Sequence, residues 1–108
     1  MAASYRVVLT RSAENDLRNI FNYIRKFAPQ AANNWRKGVR QAIASLKRYP
    51  GRAALAPETY TFGETIRELI YGRGNRGTYR ILFAIRDQMV YVLHVLHGSR
   101  LPLKRSEE

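Results

Sequence analysis

The chain has 108 residues, 45% of them apolar, with nineteen basic against eight acidic side chains and a formal charge of +11. That length suits one core rather than two, so a single domain over residues 1–108 is expected. The lack of cysteine excludes a disulfide framework, a thiolate nucleophile and a cysteine-ligated zinc, and the charge points to an anionic partner, either nucleic acid or a strongly acidic protein.

Met1-Ala2-Ala3-Ser4 leads straight into Tyr5-Arg6-Val7-Val8-Leu9-Thr10, a β-branched and aromatic run that reads as a strand rather than the apolar core of a signal peptide. No stretch approaches the roughly 20 apolar residues that span a bilayer, so a cytoplasmic chain without membrane contact is expected. A helix follows. Ser12 offers a cap, Glu14 and Asp16 place negative charge in the first turn, and Ala13, Leu17, Ile20, Phe21, Ile24 and Phe27 recur at helical spacing until Ala28-Pro29 ends it. A second helix is expected from Gln30 to Tyr49, where Ala32, Trp35, Val39, Ala42, Ile43, Leu46 and Tyr49 repeat the spacing before Pro50-Gly51. Its basic residues Arg36, Lys37, Arg40, Lys47 and Arg48 meet no acid within the helix. The short link makes the two helices an antiparallel hairpin. Trp35 and the aromatic residues of the first helix are assigned to packing.

Residues Pro50 to Gly63 read as a connecting loop. Three strands follow over Thr65 to Tyr71, Thr78 to Arg86 and Met89 to Leu96, joined by Gly72-Arg73-Gly74-Asn75-Arg76-Gly77 and by the tight Asp87-Gln88 turn. In the middle strand Tyr79, Ile81, Phe83 and Ile85 share one face, and Arg80, Leu82, Ala84 and Arg86 share the other. The expected fold is α+β, of order β-α-α-β-β-β, with the helix hairpin on one face of a small, mainly antiparallel twisted sheet. The opposite face should stay open and basic, with Pro102 to Glu108 a polar, frayed tail.

Arg67, Arg80 and Arg100 are the candidate anion site, since three guanidiniums on one concave face would grip a phosphate with paired donors. The plainer reading makes each a solvated charge. Arg73, Arg76 and Arg86 are candidates for touching a nucleic-acid backbone. His94 and His97 are the only histidines and the readiest acid–base groups; three residues apart, they fall on opposite faces of an extended segment. His97, beside Gly98, is the better placed. The carboxylates are scattered without a metal-ligand spacing, and the glycine-rich turn lacks the lysine and hydroxyl of a P-loop, so neither metal nor nucleotide cofactor is expected.

Tyr5-Arg6-Val7-Val8-Leu9-Thr10 with Ala13-Glu14-Asn15-Asp16-Leu17, the Trp35 helix, Ile66-Arg67-Glu68-Leu69, Tyr79-Arg80-Ile81-Leu82-Phe83 and His97-Gly98-Ser99-Arg100 occur in an order that resembles the RelE/ParE superfamily of type II toxins. The resemblance implies a toxin neutralised by a small, acidic antitoxin encoded nearby, in a heterotetramer or larger complex. It implies one of two targets: mRNA in the ribosomal A site, cut without metal, or DNA gyrase, which is inhibited rather than chemically altered. Arg67, Arg80 and Arg100 match basic positions of the RelE-like site, with His97 or His94 replacing its missing groups. Leu69 stands where that site has a second lysine, and no tyrosine follows Arg100, which tilts the reading toward gyrase. A non-toxic, basic nucleic-acid-binding domain is the remaining alternative.

Overall fold

Thr10 closes the first strand and opens the first helix. The computed structural model describes residues 4–72 and 78–98. In it β1 (Arg6–Leu9) gives way to α1 (Arg11–Phe27) at Thr10, whose extended backbone lets its Oγ1 accept from the Ala13 amide at 3.2 Å. The cap is therefore Thr10 and not Ser12, which lies inside the first turn. The same hydroxyl donates to the Val92 carbonyl at 2.8 Å, tying the helix start to the sheet. α2 (Pro29–Ala44) begins on a proline, whose missing amide costs nothing in a first turn. It stops short of the expected Tyr49: the chain tightens into a 3₁₀ turn at Ser45–Lys47, and Tyr49 takes a left-handed φ of 49°. Pro50 bars α geometry at the residue before it, and starts a second 3₁₀ turn, Pro50–Arg52.

Residues 50–63 are more than a connection. They hold a two-residue strand, β2 (Ala54–Leu55), and one short helix, α3 (Glu58–Phe62). Then come β3 (Arg67–Tyr71), β4 (Tyr79–Arg86) and β5 (Met89–His97). The sheet order is β1-β5-β4-β3-β2, with β1 parallel to β5 and every other pairing antiparallel. The mainly antiparallel α+β fold thus matches the expectation, extended by an edge strand. A bulge at Leu93 shifts the β4–β5 register: Leu82 faces His94 while Phe83 faces Val92.

Each face of the sheet has its own core. Tyr79, Ile81 and Phe83 of β4 and Val90, Val92 and Val95 of β5 pack against Ala13, Leu17, Val39 and Ile43 of the helix hairpin. The alternation read in β4 is correct. On the reverse face Leu82 and Leu96 pack with Ala56 and Ile66, and with the half-buried Phe62 and Leu93. The expected open face is therefore partly roofed by the 54–66 segment, because Ala56, Phe62 and Ile66 carry enough apolar surface to bury. Among the described residues no helix is long and apolar enough to cross a membrane.

Candidate functional site

In the β3–β4 ladder Arg67 stands opposite Phe83, and Arg80 opposite Ile70. Side chains directly across an antiparallel pair share a face. Arg67 therefore sits with Phe83 on the helix side, half-buried, its Nη1 donating to the Ala53 carbonyl at 2.7 Å. Arg80 lies on the reverse side, so these two guanidiniums do not converge as expected. The register decides this: a slip of one residue would have put them together.

Nor does Arg80 lie open on its own face. It is 7% exposed and Glu58 is fully buried. Its Nη1 and Nη2 donate to the Glu58 carboxylate at 3.1 and 2.8 Å, and its Nε to Glu68 Oε1 at 2.7 Å. Hydrogen bonding to Glu58, more than any other influence, holds Arg80 above the ordinary arginine range, while desolvation pulls the other way. A guanidinium engaged along all three nitrogens by two carboxylates is a poor phosphate ligand. It clamps α3 and β3 to the centre of the sheet instead.

Arg86 stays at the surface on the same face. It grips Glu64 with two bonds of 2.7 and 2.9 Å and lies 5.0 Å above the Tyr91 ring. That bond lowers the Glu64 carboxyl and raises Arg86. Arg73, Arg76 and Arg100 lie outside the described residues.

His94 and His97 point to opposite faces, as their spacing requires: His94 pairs across from Leu82, and His97 from Tyr79. The Asp16 carboxylate accepts from the Val95 amide at 3.0 Å and lies 3.0 Å from His94 Nδ1. A carboxylate only accepts, so Nδ1 carries the hydrogen and Nε2 of a neutral His94 is left as an acceptor. Asp16 thus anchors β5 rather than serving the α1 dipole. His97 is exposed, with its ring edge-on to Tyr79 at 5.2 Å.

Sequence reasoning missed the partners of these residues. Glu58, Glu64 and Glu68 fall within eleven positions of one another, and this local concentration of acid in a basic chain was the signal that nearby arginines are paired.

His97 also borders a groove of about 760 Å³ with Tyr23, Phe27, Trp35, Tyr71 and Tyr79. Tyr23 and Phe27 stack edge to face at 5.4 Å and are 64% and 75% exposed. Assigning the first-helix aromatics to the core fails for these two, because the last turns of α1 stand over the strand ends with no described side chain filling the gap between. Trp35 is only half-buried, and its indole Nε1 has no partner among the described residues. The groove is apolar and aromatic, the kind of surface that takes an amphipathic segment.

A family model described as the ParE toxin of the type II toxin–antitoxin system parDE matches residues 7–102. The chain is 33% identical over 96 residues to a protein of Caulobacter vibrioides named Toxin RelE2, covering 89% of this chain and 98% of that one. Its fold is similar to a chain from the chromosomal ParDE system of P. aeruginosa, with TM-score 0.69, 16% identity and coverage of 89% and 98%. It is also similar to one from the toxin–antitoxin complex RelBE2 of Mycobacterium tuberculosis, with TM-score 0.50, 28% identity and coverage of 87% and 98%.

Proposed function

This chain belongs to the RelE/ParE superfamily of type II toxins, and from that premise we propose that it acts in the cytoplasm by binding DNA gyrase rather than by cutting RNA. The observation that carries this reading is the separation of Arg67 from Arg80. Metal-free RNA cleavage must stabilise a phosphorane with cations that are unpaired and convergent. Here Arg67 donates to a backbone carbonyl on one face and Arg80 is held by two carboxylates on the other. A toxin that works by binding needs no such cluster.

The aromatic groove is the seat for the cognate antitoxin in this reading. Tyr23 and Phe27, largely exposed in the lone chain, would be covered by an apolar segment of that partner, whose acidic remainder suits a chain of charge +11.

The test adds purified protein to gyrase and relaxed plasmid. Blocked supercoiling, restored by antitoxin, is expected; unaltered gyrase at saturating protein overturns the reading. One observation favours the ribosomal alternative: His94, oriented through Nδ1 by Asp16, presents the geometry of a general base. New message ends mapped by primer extension in a translating extract, lost in His94→Gln, would select it.

A further inference from the structure

Among the described residues most of the basic excess lies on the helix hairpin and the turn that follows it. From Arg11 to Arg48 nine basic residues meet only Glu14 and Asp16, and from Pro29 to Arg48 five meet no acid at all. Around the reverse face of the sheet the balance is near neutral, since Arg80 and Arg86 are matched by Glu58, Glu68 and Glu64. Arg36, Lys37, Arg40, Lys47 and Arg48 are all exposed, and none forms an ion pair among the described residues. At about 100° per residue Arg36, Lys37 and Arg40 fill an arc of roughly 100° beside the buried stripe of Ala32, Val39 and Ile43. Lys47 and Arg48 continue the row past the helix end, over on the order of 18 Å. Arg36 is held in place, its guanidinium 4.4 Å above the Phe21 ring. Arg52 braces the far end by donating to the Arg48 and Tyr49 carbonyls at 2.7 and 3.1 Å.

We infer that this outer face of α2 docks on the phosphate backbone of duplex DNA. Its chemistry separates that occupant from the others. A protein partner would find little to bury there: of the large exposed apolar side chains among the described residues, Tyr23, Phe27, Tyr49, Leu55, Tyr60 and Ile70, only Tyr49 adjoins the row, at its far end, whereas protein interfaces concentrate their energy in buried aromatic and apolar residues. A convex helical rod of about 10–12 Å fits the major groove of B-form DNA, about 12 Å wide, while that of an RNA duplex is too narrow to admit it. Cations aligned along the helix position the protein on phosphates and carry no base information, so binding is independent of sequence. The inference does not depend on gyrase as the target, and naked DNA tests it separately.

Fluorescence anisotropy with a labelled 20-base-pair duplex of mixed sequence, at stepped salt, reads it directly. Each phosphate neutralised adds about 0.9 to the slope of log K against log salt, so the combined variant R36Q/K37Q/R40Q should lower that slope by about 2.7 and weaken binding on the order of a hundredfold near 0.1 M salt. Each single variant should lower it by about 0.9, which reads the same face without burdening the fold. R36K/R40K should keep the wild-type slope, as should Arg86→Gln on the sheet. An unchanged slope in the glutamine variants overturns the inference, as does binding to double-stranded RNA or polyglutamate as tight as to DNA.

Discussion

Arg67 and Arg80 occupy neighbouring strands yet emerge from opposite faces of one sheet, the first donating to the Ala53 carbonyl and the second locked between Glu58 and Glu68. The arrangement converts the most conspicuous arginine of the strands from a candidate ligand into a structural tie. Its importance should be measured in stability.

Glu58→Leu leaves the buried Arg80 with Glu68 as its remaining charged partner on α3 and β3. Removing one member of a buried pair costs about 3–5 kcal/mol. A matching drop is expected in the urea unfolding midpoint, and Glu58→Leu/Arg80→Met should recover most of it. A double variant no more stable than the single one would show that the ion pair is not what holds α3 down.

Gly38 lets α2 lie directly on Tyr71. A Cβ at this position would overlap the Tyr71 hydroxyl and come within 2.7 Å of its Cζ. Alanine gains about 1 kcal/mol in helix propensity, but crowding a packed site costs about 1–3. Gly38→Ala should therefore be net destabilising by up to about 2 kcal/mol, and Tyr71→Phe in that background should return part of the loss. Thermal melts of the two variants decide it; a more stable Gly38→Ala refutes the close contact.

Tyr23→Ala/Phe27→Ala should separate binding from folding. Both rings are mostly exposed, so the unfolding midpoint should move by less than about 0.5 kcal/mol. Antitoxin affinity should fall by about 2 kcal/mol or more, roughly thirtyfold. Calorimetry giving wild-type affinity would move the antitoxin elsewhere.

Tyr79 sets an alkaline limit on stability. Burial, and secondarily Tyr23, raise its phenol above the usual value of 10.0. The unfolded chain therefore ionises first: the stabilisation is intact below about pH 10 and is lost as pH rises through the folded value. Urea midpoints between about pH 8 and about pH 11 should decline at the top of that range, and Tyr79→Phe should flatten the decline.

The order of the main elements was legible because their periods are long. Leu17, Ile20 and Ile24 mark one helix face, Val39, Ile43 and Leu46 another, and β4 alternates over its whole length. β2 and α3 were not legible: a pair of residues and a single turn carry no period, and their burial depends on contacts with Leu82 and Leu96 far along the chain. The register of β3 against β4 was equally hidden, since the seven residues between Tyr71 and Tyr79 leave odd and even pairings open in the sequence, and that parity assigns Arg67 its face. Thr10, Asp16 and Glu58 went unrecognised for a related reason, as each acts on a partner more than twenty residues away.

The parallel ladder joining Arg6–Leu9 to β5 closes a loop of more than eighty residues, because Val7 is paired with Val90. During synthesis the opening segment must wait, unmatched, until β5 has emerged, and slow completion follows from so distant a pairing. The first strand of the domain is thus among the last to find its place, although it is the first to be made.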